Sequence, residues 1–323
     1  IMTDEPTGVE PLWVPSERRS SDTRLSKFQA FLDKRGHGPF ESFEALHWFS
    51  VNEPEHFWDA IWDFTGVIGT KGEVIIEPAT HLADVRFFPN AELNIAENIL
   101  RPNDDPTDLM LVGCGEGGVT ERLTRGEMLS RVGQMQQLLR RHQVGVGDVV
   151  AAWLPNTAEA YIVMLAAAGL GATFVSTSPD FGVDGVLDRF GQVSPKVMIA
   201  ANGYIYGGRP FDCLERLATV RAALPSLDAV FVHQAIDSDI ELDADVHGAS
   251  LADALAEVEL VDPTFLPLPF DHPLYVLFSS GTTGKPKPIV HRAGGVLLTH
   301  MKEHQLACDI RPEDRVFYFT TTG

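Results

Sequence analysis

Cysteine is scarce in this chain. The three thiols, Cys114, Cys213 and Cys308, are odd in number, far apart and without a C-x-x-C pair. That excludes a disulfide framework and a cysteine-based structural zinc site, and it suits a reducing, cytoplasmic setting. Long apolar runs are missing too. The longest candidate, Tyr161 to Leu170, is too short to cross a bilayer and reads as a buried helix. Residues Ile1 to Arg19 carry acidic groups early and no apolar stretch, so they do not make a signal peptide. Positive charge is under-represented: 25 Lys plus Arg stand against 45 Asp plus Glu, a formal net charge of −20. Such a surface repels nucleic acid and anionic membranes. It still allows a small anionic ligand, because a local nest of N–H groups with one lysine outweighs a distant field.

What is present is ordinary for a globular protein. Of 323 residues 44% are hydrophobic and 22% charged, enough for a sizeable core in one large domain or two smaller ones. Residues up to about 40 are polar and predict an arm with a short helix near Leu25–Leu32. A helix follows, with Asn52 as its expected cap, Pro54 in its first turn, Phe57, Trp58, Ile61 and Trp62 at helical spacing, and Gly66 at its end. Leu109–Val112 and Val119–Leu123 read as strands around a glycine-rich turn. Thr124 and Glu127 are spaced as a capping box and open a helix that Gly145 and Gly147 are expected to end. Strands at Asp148–Leu154, Ala172–Val175, Lys196–Ala200 and Ala229–His233 then alternate with helices at Ala158–Leu170, Val183–Phe190 and Leu214–Ala223. The alternation predicts an α/β fold of sheets flanked by helices, with mostly parallel strands. Asp237–Asp245 reads as an exposed acidic loop.

The segment from Leu274 to Lys287 carries the chemistry. Leu274-Tyr275-Val276-Leu277-Phe278 suits a buried strand. Ser279, Ser280, Gly281, Thr282, Thr283 and Gly284 then form a loop with hydroxyl donors and no bulk. Its two glycines let successive N–H groups turn toward one anion. Lys287 adds a mobile positive charge behind the stiff Pro286. Polyphosphate binding needs this combination. It is not a Walker A loop, because Pro286 follows Gly284-Lys285 and the glycine spacing is too short.

Ser-Ser-Gly-Thr-Thr-Gly-Lys-Pro-Lys resembles the phosphate loop of the adenylate-forming family, which includes acyl-CoA synthetases, luciferases and nonribosomal peptide adenylation domains. Pro288 departs from the glycine that many members carry there. Other segments resemble the acetyl- and acetoacetyl-CoA synthetase branch: Leu46-His47-Trp48-Phe49-Ser50-Val51, Phe57-Trp58, Trp62-Asp63-Phe64, and Arg86-Phe87-Phe88-Pro89 with Leu93-Asn94. Ser178-Pro179-Asp180-Phe181-Gly182, Leu187-Asp188-Arg189-Phe190, Tyr204-Ile205-Tyr206-Gly207-Gly208, His291 to Asp309 and Phe319 to Gly323 are similar to the acetoacetyl side of that branch.

The resemblance implies an arm (1–40), a branch-type N-terminal region (41–105) and an AMP-binding domain (106–323), with the small C-terminal domain absent. It implies an ATP-dependent acid–thiol ligase. A carboxylate, acetoacetate on this reading, attacks Mg-ATP to give an acyl-adenylate and pyrophosphate. CoA then takes the acyl group and AMP leaves. The implied partners are the small molecules acetoacetate, ATP with Mg2+, and CoA, with no nucleic acid and no membrane insertion. The implied roles are phosphate binding by Ser279, Ser280, Gly281, Thr282, Thr283, Gly284 and Lys287, and charge stabilisation by Lys287. His291, Thr322 and Gly323 are candidates for the acyl pocket. The main catalytic lysine would lie further on. Because the chain begins with Ile1 ahead of Met2 and stops straight after a strand-like run, a fragment that does not complete catalysis alone is expected. Two other readings stay open: a synthetase for acetate, propionate or another short acid, and a non-catalytic nucleotide-binding fragment.

Two motifs weigh less. Gly113-Cys114-Gly115-Glu116-Gly117-Gly118 fits G-x-G-x-x-G, but a second strand follows it where a dinucleotide site needs a helix, so a hairpin turn is expected. His300-Met301-Lys302-Glu303-His304 fits H-x-x-E-H, yet Leu297, Leu298 and Met301 mark a buried stripe and no third ligand is signalled. Asp180 is read as a turn cap, and His291, on its chemistry alone, fits a hydrogen-bonded structural histidine as well as a site residue.

Overall fold

A computed structural model describes residues 12–237, 241–279, 284–318 and 320. The chain divides into two compact units, Ile1–Val67 with Leu298–Val316, and Ile68–Leu297 with Phe317–Gly323.

The smaller unit is helical: α1 (Glu17–Ser21), α2 (Arg24–Lys34), α3 (Phe43–Asn52) and α4 (Pro54–Thr65). The helix expected near Leu25–Leu32 is α2, and it buries Phe28 and Leu32 completely. Thr23 and Ser42 start α2 and α3 by accepting hydrogen bonds from backbone N–H groups three residues on. The expected cap of α4 is corrected. Asn52 ends α3, its amide donating to the Trp48 carbonyl at 2.8 Å, and Glu53 precedes α4 without a side-chain cap. Proline at the first turn has no N–H to leave unsatisfied, so a cap is less needed there. Gly66, at φ 68°, ends α4 as expected. Phe28 meets Phe57 edge to face at 5.9 Å, and Ile61 and Trp62 are buried in the same unit.

In the larger unit a seven-stranded sheet is built from β1 (Val149–Trp153), β2 (Thr173–Thr177), β3 (Val197–Ala201), β4 (Ala229–His233), β5 (Ala249–Ser250), β6 (Pro273–Ser279) and β7 (Lys287–Arg292). Their order is β5-β4-β3-β1-β2-β6-β7, and every neighbouring pair is parallel except β6 with β7. Buried strands of this kind read as continuous apolar runs, and every residue of β3 is buried. Around the sheet lie α5 (Ile95–Leu100), α6 (Arg125–Arg141), α7 (Ala158–Gly169), α8 (Val183–Phe190), α9 (Leu214–Ala223), α10 (Leu251–Ala256) and the start of α11 (Ala293–Lys302). Helices α8 and α9 cover one face, where Val186, Phe190, Leu214 and Leu217 pack on Ala151, Val175, Met198 and Val232. Helix α7 packs against α5 and α6.

The glycine-rich G-x-G-x-x-G segment turns between two antiparallel strands, Leu109–Gly115 and Gly118–Thr124. The helix starts only after the Thr124–Glu127 capping box, whose two bonds are both present. The end of α6 is corrected. The helix stops at Arg141, and Gln143, at φ 55°, closes it: its N–H and that of Val144 donate to Arg140 and Leu139. This is the Schellman pattern without glycine. The strand-like run before Thr320 is corrected as well. Val316, Phe317 and Tyr318 form no strand and are exposed.

Candidate functional site

Parallel strands β1, β2 and β6 are neighbours, so the segments leaving their carboxyl ends emerge side by side. The chain runs from β1 to β2 on one side and then crosses to β3 on the other. The strand order therefore reverses at β1, and in open α/β sheets such a switch point forms the ligand crevice. From β1 comes Pro155-Asn156-Thr157, from β2 the Ser178–Gly182 turn, and from β6 the hydroxyl-rich loop. The Trp153 indole N–H donates to the Ser178 carbonyl at 3.1 Å and fixes the second of these to the first.

Ser280, Gly281, Thr282, Thr283, Thr322 and Gly323 lie outside the described residues. Of the others, Ser279 ends β6 and Lys287 opens β7, and the two are register partners, so the hairpin returns the lysine to the strand end that the loop leaves. Lys287 is exposed. Gly284 has φ 156°, which side-chain-bearing residues rarely adopt, and open space where a Cβ would stand. The exit arm is held to the end of α8. The Gln192 amide donates to the Pro286 carbonyl at 2.8 Å, and Lys285 pairs with Asp188 at 3.3 Å.

His291 does not join the loop. It lies four residues along β7 from Lys287, roughly 13 Å at strand spacing. It is half-buried opposite Tyr275, ring centroids 5.2 Å apart. Tyr275 and Leu277 also line a cavity of about 270 Å3 with Thr157, Tyr161, Phe174 and Ser176. Burial raises the Tyr275 phenol and pushes that of Tyr161 up to about 12, so both stay protonated donors at neutral pH. The Thr157 hydroxyl is buried without a partner among the described residues. Asn156 donates to the Thr320 carbonyl at 3.1 Å, which places Thr320 beside the end of β1. In the sequence Asn156 and Thr157 mark only the start of a helix, Tyr161 only a buried apolar run, and Gln192 belongs to no motif. The Pro-Asn-Thr turn straight after a buried strand was the available signal for the first two.

Beyond the carboxyl end of β4, Arg131, Glu159 and His233 line a second cavity of about 300 Å3. Arg131 bridges Glu121, at 2.9 Å, and Glu159, and Glu159 faces His233 at 3.6 Å. In the H-x-x-E-H segment the His300 and His304 rings stack at 5.7 Å and Lys302 pairs with Glu303. Among the described residues no group of three or more His, Cys, Asp or Glu could hold a metal ion. No helix among them is long and apolar enough to cross a membrane.

Comparison with known proteins places the same elements in known company. The chain is 44% identical over 315 residues to an acetoacetyl-coenzyme A synthetase of Rhizobium meliloti, covering 97% of this chain and 48% of that one. It is 34% identical over 335 residues to a malonamoyl-CoA synthetase of Penicillium aethiopicum, covering 98% and 45%. The solved acetoacetyl-CoA synthetase from Streptomyces lividans superposes with a TM-score of 0.88 at 36% identity, over 98% of this chain and 48% of that one. The chain thus spans about half the length of the curated relatives it matches. Residues 101–322 match the family of AMP-binding enzymes, a span that takes in the whole seven-stranded sheet, and the chain belongs to that family.

Proposed function

We propose that this chain is the ATP-binding part of an acid–thiol ligase that forms acetoacetyl-CoA from acetoacetate and CoA, with AMP and pyrophosphate released. What supports the reading above all is the β6–loop–β7 hairpin, set within a chain similar along 97% of its length to a named acetoacetyl-CoA synthetase. In the first half-reaction a carboxylate oxygen of the acid bonds to the α-phosphorus of ATP, and the bond from that phosphorus to the bridging oxygen breaks. Pyrophosphate then carries the electron pair away. Ser279, Ser280, Gly281, Thr282, Thr283 and Gly284 hold the β- and γ-phosphates, and Lys287 balances the charge that grows on the leaving group. The nucleotide would be taken up as its magnesium salt, the ion offsetting part of the phosphate charge. In the second half-reaction the CoA thiolate attacks the acyl carbon and AMP leaves. Asn156, Thr157 and Tyr161, with His291, Thr322 and Gly323, are the residues we place toward the acyl group.

A second reading concerns the acid. Acetoacetate and malonamate, the acids implied by the two relatives' names, both carry a carbonyl one carbon beyond the carboxylate-bearing carbon. Malonamate is therefore the competing substrate. The test is carboxylate-dependent ATP–pyrophosphate exchange by the whole protein that carries this chain, with acetoacetate, malonamate, acetate, propionate and 3-hydroxybutyrate side by side. Strongest exchange with acetoacetate supports the proposal. Strongest exchange with acetate or propionate moves the protein to the short-chain synthetases. No exchange with any acid leaves a nucleotide-binding protein without this reaction.

A further inference from the structure

The hairpin that carries the phosphate loop has a weakness at its loop end. Ser279 pairs with Lys287 and Phe278 with Pro288. Prolines at 286 and 288 remove two backbone donors on either side of Lys287. β7 is also the outer strand of the sheet, with no neighbour beyond it among the described residues. The ladder alone holds the lysine poorly.

The missing restraint comes from α8. That helix is a firm base. Val186 and Phe190 are fully buried, and the Arg189 guanidinium lies over Phe181 at 4.2 Å and over Phe278 of β6 at 5.9 Å. Just past its end, Gln192 uses one amide nitrogen twice. It donates to the Asp188 carbonyl at 2.6 Å, one of the last carbonyls of α8 and short of a partner within the helix. It also donates to the Pro286 carbonyl at 2.8 Å, directly before Lys287. Asp188 adds its carboxylate to Lys285 at 3.3 Å, an exposed pair that contributes little by itself.

Resting on the phosphate-loop reading of Lys287, we propose that Gln192 is a positioning residue for that site. It ties the exit arm of the loop to α8, so that Lys287 meets the β- and γ-phosphates without first being ordered. A lysine ordered in advance loses less side-chain and backbone freedom when the nucleotide binds. Gln192 touches neither nucleotide nor acid in this role.

The variant is Gln192→Met, which keeps the length of the side chain and removes both donors; the buried Val186 and Phe190 keep α8 in place. In ATP–pyrophosphate exchange by the whole protein, the KM for ATP and for pyrophosphate rises about fivefold, the effect of one ordinary hydrogen bond. The KM for the acid and the exchange rate at saturation stay within about twofold, the scatter such kinetic comparisons carry. In the ligand-free whole protein, hydrogen exchange of the Gly284, Lys285 and Lys287 amides speeds up while that of residues 274–278 does not. An acid KM that rises together with that for ATP would show general damage and overturn the proposal. So would unchanged exchange at those three amides. Lys287→Ala separates the two layers. If it abolishes activity while Gln192→Met changes nothing, the tether is wrong and the site stands; if neither matters, the site itself is wrong.

Discussion

The two sides of the central sheet differ in what their residues are for. On one side β3 is buried throughout, and β4 ends beside a linked set of polar groups, Arg131, Glu159 and His233. On the other, β7 has exposed side chains along nearly its whole length, including Ile289 and Val290, and its first residue is an unburied lysine. Burial on both faces leaves a strand no freedom and no access. An outer hairpin with prolines keeps both, and ligand-binding elements are drawn from such less stable parts of a fold.

The first way to break this contrast is to cut into the buried side. Phe190 is fully buried between α8 and the sheet. Phe190→Ala removes a ring and leaves a cavity, with an expected loss of about 3–5 kcal/mol in urea unfolding. A loss no larger than that of a surface change would mean that the α8 face is not the core of the larger unit.

Second comes Lys287→Ala. The side chain is exposed, so stability should hold, while ATP–pyrophosphate exchange by the whole protein falls about a hundredfold, the scale for one group that meets developing charge. A variant that unfolds but keeps its specific activity when folded would reverse the assignment and make Lys287 structural.

Much of this contrast was legible in the sequence, and the exceptions have physical causes. Helices at Val183–Phe190 and Leu214–Ala223 and the strand at Ala229–His233 lie where periodicity put them, because each buries one clear pattern between turn residues. Helix α3 went unread because Phe43, Trp48 and Val51 are exposed while Leu46 and Phe49 are buried, so no single apolar stripe marks it. β7 was unread for a related reason: Pro288 breaks the strand signal, and the apolar pair after it faces out. Ser279 and Lys287 stand out in the sequence because the loop they flank is contiguous, and their phosphate role belongs to the proposal. Gln192 and Asn156 were not, since each acts on a carbonyl more than ninety residues away, and only the fold brings them there.

Third, and smaller, is a truncation on the open side. Ile289 is about half exposed, and Ile289→Ala should change the stability of the larger unit by no more than about 0.5 kcal/mol. A loss comparable with that of Phe190→Ala would show β7 to be part of the core, and the contrast between the two sides would collapse.

The smallest effect expected is also the one that tests the charged end of β4. Burial raises the Glu159 carboxyl, but the charges of His233 and Arg131, together with hydrogen bonds from a backbone N–H and from Arg131, more than reverse this and hold it below its ordinary value of 4.5. A depressed carboxyl favours the folded state wherever it is ionised there. Its contribution is complete above the unfolded value and disappears as pH falls through the folded one. Glu159→Gln cannot ionise. It should therefore be less stable than the parent chain at neutral pH, and the two urea midpoints should draw together as the pH is lowered below about 4.5. A gap that stays constant through the acid range would mean that Glu159 acts by packing alone. Charge would then not distinguish the end of β4 from the end of β6.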